Sequence, residues 1–318
     1  MKTLASQNST QIQQEAANRR QGLLYGLLGV VTFSVTLPAT RAAAPELGGV
    51  FTGIGRATVA AFLAALLLAA MQERLPHRKH WKSLALVALG VVFAFPLCTA
   101  VALRSLPASH GAVLAGLLPA STAFFAVLRA KEHPPLAFWA TCGLGVIATL
   151  IFAATEGAGR PQMGDLWLLL AVTLASLGYA EGGQLAREIG GWRVICWALV
   201  FSLPVLLLPA CIAVSQDIHS GQFVAASPRA WIGFGYLCLV SMFLGFFAWY
   251  RGLALGGVAR IGQLQLMQPV LALFWAALLL GEMVRPQTVG AALLLIGISL
   301  LSQRFRTPAT ASAHAAGP

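Results

Sequence analysis

Acidic side chains are the scarcest chemistry in this chain. It holds 10 Asp and Glu against 21 Lys and Arg in 318 residues, and charged residues of both signs make up only 10%. A soluble domain carries about 25% charged residues, so an ordinary solvated globule is excluded. Also missing are a Gly-rich phosphate loop, GxSxG, HExxH and a pair of acidic residues within one apolar run. ATP hydrolysis, serine or zinc hydrolysis and intramembrane aspartyl proteolysis lose their sequence basis, and the chain is not expected to be an enzyme. Its five cysteines, Cys98, Cys142, Cys196, Cys211 and Cys238, form no CxxC pair and have no histidine at zinc spacing. They read as small core hydrophobes, with no metal and no cofactor expected.

What is present is apolar. Hydrophobic residues make up 58% of the chain and fall in long blocks. Stretches of about 20 residues with few charges lie at 22–44, 49–71, 83–104, 107–128, 136–155, 164–186, 193–214, 230–251, 257–280 and 286–304. The expectation is an all-α membrane protein of ten spans. Residues 1–20 form a polar, helix-compatible segment, and 307–318 a tail expected to be disordered. No small-residue cleavage site follows the first apolar block, which reads as a retained helix. The longest polar loop, 215–229, leaves function to the membrane-embedded part.

Basic residues resist translocation and gather in cytoplasmic loops. With both termini inside, Lys2, Arg19, Arg20, Arg74, Arg78, Lys79, Lys82, Arg129, Lys131, Arg187, Arg193, Arg251, Arg260, Arg304 and Arg306 lie on the inner side. Only Arg41, Arg56, Arg104, Arg160, Arg229 and Arg285 lie on the outer side. Most of the net charge of +11 is this asymmetry. Nucleic-acid binding is not expected, because no basic patch is interleaved with exposed aromatics.

The chain also carries one unit twice. Trp81, Pro119 and Glu132 recur 150 residues on as Trp231, Pro269 and Glu282, and the ungapped segments 81–132 and 231–282 share ten identities in 52 positions. About four would match by chance in so apolar a sequence. Five spans per copy is an odd number, so the second copy enters the bilayer inverted relative to the first. Inverted repeats around a central cavity can open one site to either face, which alternating access requires.

The second copy reads Gln268-Pro269, an apolar run to Leu280-Gly281-Glu282, then Pro286 and Gly290; the first repeats the skeleton as Pro119, Lys131-Glu132 and Pro135. With Gly55-Arg56-Ala57 early in the second span, this resembles the EamA-type transporters of the drug/metabolite transporter superfamily over about 20–306. Lys131 departs from the glycine usual at its place. The resemblance implies repeats over 21–156 and 163–306 and a carrier that exports small organic metabolites. Amino acids, hydrophobic or aromatic, come first because members resembling this chain export them. Drug or nucleotide-type carriers of the same superfamily and a non-transport intramembrane protein are the alternatives. The expected setting is a bacterial inner membrane, as a monomer, with the lipid bilayer and a small-molecule substrate as partners. Facilitated diffusion and exchange with protons both remain open.

Charges inside spans cost about 3 kcal/mol or more and usually serve a pathway or a partner. Arg41, three residues after the helix-bending Pro38, and Arg56 read as gate elements, the alternative for Arg41 being snorkelling to the outer interface. Glu181 stands beside Tyr179 and between glycines that permit close helix approach, Gly182 among them; it could hold a substrate ammonium or a proton, or pair with Arg187. Gln265 and Gln268 share a helix face beside the Pro269 bend and are expected to face the cavity. Of the aromatics in the third and eighth spans, Phe93 and Phe243 are the expected cavity residues because the repeat makes them equivalent; most others, including Trp249 and Tyr250, are expected at lipid or interface. His110 reads as a helix-end histidine. Glu132 and Glu282 read as structural, closing the turns to the following spans.

Overall fold

A computed structural model describes residues 2–129, 135–156 and 162–304. Glu132, Lys131 and the 307–318 tail lie outside the described residues. Every described regular element is helical. Among the described residues eight helices are long and apolar enough to cross a membrane: α1 (Ala16–Leu47), α2 (Phe51–Ala70), α3 (Arg78–Ala102), α4 (Ala108–Arg129), α6 (Met163–Ile189), α7 (Gly191–Gln216), α8 (Pro228–Gly256) and α9 (Val258–Leu280). Two further helices, α5 (Leu136–Glu156) and α10 (Pro286–Arg304), complete a set of ten. The polar N-terminal segment is helical from Lys2 and runs straight into α1.

The repeat is visible in the backbone's irregularities. A π-helical stretch at Ala88–Ala94 in α3 returns at Leu237–Leu244 in α8, and a 3₁₀ turn at Ala115–Leu117 in α4 returns at Gln263–Met267 in α9. Each 3₁₀ turn comes just before the repeated proline, Pro119 or Pro269, whose missing N–H interrupts the helical ladder. Backbone polar groups freed at such places must be satisfied by protein, because lipid offers no partner. In α1 the helix breaks at Val35, ahead of Pro38. There the Tyr236 hydroxyl donates to the Thr32 carbonyl at 2.5 Å, and the Gln268 amide donates to the Phe33 carbonyl at 3.4 Å.

Close packing is set by glycine. A Cβ on Gly22 would lie 2.7 Å from the Gly256 nitrogen, and one on Gly252 would lie 2.7 Å from the Gly26 nitrogen. Backbones of α1 and α8 therefore touch, the small-residue contact that joins helices where no hydrophobic force separates them from lipid. This contact turns the inward face of α8 toward the protein. Trp249 and Tyr250, expected at an interface, are fully buried.

Polar contacts gather at two ends of the bundle. One end carries Glu73 with Arg193 at 2.5 Å, Lys79 with Glu188 at 3.4 Å and Arg129 with Glu181 at 2.8 Å. It is the basic end, where the Lys and Arg residues gather. The opposite end is joined by contacts to helix termini. The Glu282 carboxylate accepts from the backbone N–H of Ala108 at 3.0 Å and Ser109 at 3.1 Å, capping α4. Glu46 accepts from the N–H and hydroxyl of Ser227, before α8, at 2.6 and 2.9 Å. Carboxylates are favoured at N-termini, where the first N–H groups lack helical partners.

Candidate functional site

Where α1, α2, α3, α6, α8 and α9 meet, a narrow chamber leaves about 10 Å³ open, room for about one water molecule. Both repeats line it. Phe33, Thr36, Arg56, Val91, Phe95 and Pro96 come from the first, and Tyr179, Ser241, Met242, Phe246 and Gln268 from the second. The breaks described above explain why these helices open here: a π turn in α3, another in α8, the interruption of α1 and the Pro269 bend in α9 all fall beside it.

The chamber floor toward the basic end is aromatic. Phe33 and Phe246 lie 4.9 Å apart between ring centroids, Tyr179 and Trp249 5.5 Å, and Phe246 and Tyr250 5.5 Å. Gly182 makes room for this layer, since a Cβ there would meet the Tyr250 ring at 2.3 Å. The Tyr250 hydroxyl donates to the Gly178 carbonyl at 3.2 Å, so the ring is fixed at both ends.

The chamber wall is polar at four places. The Thr36 and Ser241 hydroxyls are 2.8 Å apart across the repeat interface. Gln268 uses its amide nitrogen on α1, while its Oε1 has no partner among the described residues. Arg56 is 1% exposed. Its guanidinium reaches the Thr40 hydroxyl at 3.5 Å and the Thr99 hydroxyl at 3.4 Å, and its Nε has no partner among the described residues. Charge-assisted bonds are typically about 2.8 Å, so these contacts compensate little of a burial penalty of several kcal/mol.

The other candidates fall elsewhere. Glu181 lies below the aromatic layer in a vestibule at the basic end, shared with Lys79, His80, Ser83, Gln184, Leu185 and Glu188. Its side chain is 6% exposed and pairs with Arg129, from the first repeat, which is 43% exposed. Arg41 donates to the carbonyls of Leu103 at 3.0 Å and Arg104 at 2.8 Å, closing the C-terminus of α3 as a cation does favourably. It does not line the chamber. Gln265 is fully buried one turn from Gln268 and does not line it either. Phe93 and Phe243 are half-buried beside the core, and Phe95 and Phe246 occupy the chamber instead. Each π turn adds a residue to the helical phase, about 100° of rotation, which the identity of the two copies does not reveal. His110 is buried and bonded to Asp165 at 2.7 Å. Thr36, Ser241, Phe33, Met242 and Val91 carry no sequence signal. Thr36 and Ser241 are 205 residues apart, and only the packing of α1 on α8 joins them.

Comparison with known proteins gives one family. The model described as "EamA-like transporter family" matches residues 20–154 and 162–303. The "Uncharacterized transporter YdeK" of Bacillus subtilis (strain 168) is 41% identical over 280 residues, covering 88% of this chain and 94% of that protein. The "Probable terminal-alkyne amino-acid exporter" of Streptantibioticus cattleyicolor is 27% identical over 285 residues, covering 87% and 92%. A solved crystal structure superposes over 89% of this chain and 98% of its own at a TM-score of 0.59 and 17% identity, a likeness of fold alone.

Proposed function

The chain belongs to the EamA-like transporter family and is a multi-pass membrane transporter, and we propose that it exports hydrophobic or aromatic amino acids by alternating access through the central chamber. The observation that carries this proposal is the narrow central chamber, lined by both repeats at the backbone breaks where helices can hinge and widen it. A relative named as an amino-acid exporter supports the substrate class. So does the lining: apolar and aromatic side chains surround a few polar groups, the composition of a pocket for a small amphipathic solute. A cationic drug would meet Arg56 as the buried charge of the site, which disfavours that alternative. The membrane is the inner membrane of a bacterium, with both termini in the cytoplasm.

In this scheme the aromatic layer and the Glu181–Arg129 pair close the cytoplasmic side, and Arg41 and Glu282 close the outer side. Each latch joins helices of different position in the bundle, so opening one costs only a few bonds. Proton exchange would require Glu181 to release Arg129; facilitated diffusion would not. Counterflow of labelled L-leucine and L-phenylalanine into proteoliposomes holding only this protein tests the proposal. Saturable, trans-stimulated flux is expected. No flux across a panel of amino acids, with or without a pH gradient, overturns it.

A further inference from the structure

Four residues of the Asp, Glu, His, Lys and Arg types are buried among the described ones: Arg56, His80, His110 and Glu181. Three of them face an opposite partner. His80 lies 3.8 Å from Glu188, His110 2.7 Å from Asp165 and Glu181 2.8 Å from Arg129. Arg56 has no such partner among the described residues; it touches two hydroxyls at hydrogen-bond limits, and its Nε is unbonded. It is also the most central of the four, and the only one that lines the chamber.

We propose that Arg56 is the carboxylate-binding residue of the chamber, so that the solute must be a monocarboxylic acid with an apolar body, an α-amino acid being the form the rest of the site fits. The proposal rests on the chamber being the transport site. A purely structural role for Arg56, tying α2 to α1 and α3, would demand short bonds to Thr40 and Thr99. Bonds of 3.5 and 3.4 Å do not meet that demand. A planar guanidinium offers two parallel N–H groups to a carboxylate, and the incoming anion supplies the charge that the protein withholds.

The ammonium of an amino acid then needs neutral acceptors, because no carboxylate lines the chamber. Gln268 presents Oε1 unbonded, and the Thr36 and Ser241 hydroxyls have lone pairs to offer. The faces of Tyr179 and Phe246 add cation–π attraction. Phe33, Phe95, Val91 and Met242 receive the apolar side chain. Discrimination follows from what is left unpaired. An amide or amine in place of the acid leaves the guanidinium buried and uncompensated, whereas changing the side chain alters only apolar contact.

The test uses the full chain purified in detergent, with binding measured by calorimetry and by shift of melting temperature. The probes are L-leucine, L-phenylalanine, their amides, 4-methylpentanoate and 3-methylbutylamine. L-Leucine or L-phenylalanine, together with 4-methylpentanoate, is expected to bind and raise the melting temperature. The amides and the amine are expected to bind at least tenfold more weakly. Arg56→Gln should lose the carboxylate-dependent shift, and Arg56→Lys, which keeps the charge but not the fork, should retain part of it. Should Arg56→Gln fail to fold, the wild-type probe series and Arg56→Lys still decide. Equal binding of acid and amide, no binding of any carboxylate probe, or undiminished binding by Arg56→Gln overturns the proposal. Flux that ignores the carboxylate would sink the Arg56 site and leave the carrier; carboxylate binding without flux would do the reverse.

Discussion

The central chamber and the basic-end vestibule each hold a buried charge, and the protein treats the two oppositely. In the vestibule Glu181 is matched by Arg129 at 2.8 Å, with the partner's long side chain reaching toward water. In the chamber Arg56 is left with two long contacts to hydroxyls and an unbonded Nε. Taking an ion out of water costs several kcal/mol in either place, so the difference lies in who supplies the compensation. A charge that the fold itself neutralises can act as a latch, while one it leaves open is poised for something that enters and leaves.

Substitutions can break that contrast. The largest effect is expected from Arg56→Gln, which should lower counterflow at least tenfold without lowering the melting temperature of the ligand-free protein, since it removes an uncompensated charge. A loss of ligand-free stability of about 3 kcal/mol or more, the cost of breaking a buried pair, would put Arg56 in the same class as Glu181. Next come Glu181→Gln and Arg129→Gln. Each should change flux several-fold and destabilise the empty protein, and the double variant should be no worse than either, because both remove one interaction. Additive losses in a double-mutant cycle would mean that the two side chains act apart. If Glu181 carries the coupled proton, Glu181→Gln should also erase any response of flux to a pH gradient.

A smaller effect belongs to the opposite end. Glu282→Gln should cost about 1 kcal/mol through the α4 cap, seen as a lower melting temperature with substrate preference unchanged; a changed preference would draw Glu282 into the site. The smallest concerns Glu73, in the loop after α2, whose carboxyl is held below its ordinary range chiefly by its hydrogen bond from Arg193. A depressed folded-state value contributes stability above the unfolded value, about 4.3, and loses it as pH falls through the folded one. Glu73→Gln should therefore lower the melting temperature slightly at neutral pH and leave it unchanged at acid pH, which flattens the acid-side fall.

Much of the fold was legible because lipid imposes strict terms. Long apolar runs, the basic asymmetry and the 150-residue echo led to the ten helices and the two copies, and the repeated π and 3₁₀ turns display the same duplication in the backbone. The site was legible only in part. Gln268 and Tyr179 do line the chamber, being polar or amphipathic groups beside a proline bend or a glycine cluster. Phe93 and Phe243 were favoured by identity between the copies, but each sits in a π turn whose extra residue rotates the face that follows. Burial of Trp249 and Tyr250 depends on the glycines of α1 more than two hundred residues away, and no local pattern announces that contact. Likewise the Glu181 pair with Arg129, 52 residues away in sequence, exists because α4 packs along α6.

Whether solute passes through the chamber is tested most directly by filling the space it must open. Met242 lines the chamber on the side of the second repeat, and Met242→Trp puts a larger side chain where that lining must part, without removing a charge or hydrogen bond. Counterflow of labelled L-leucine or L-phenylalanine, whichever the wild type carries, should then disappear from proteoliposomes of a protein that still elutes as a single species and melts cooperatively. Counterflow at the wild-type rate through the filled chamber would contradict the account.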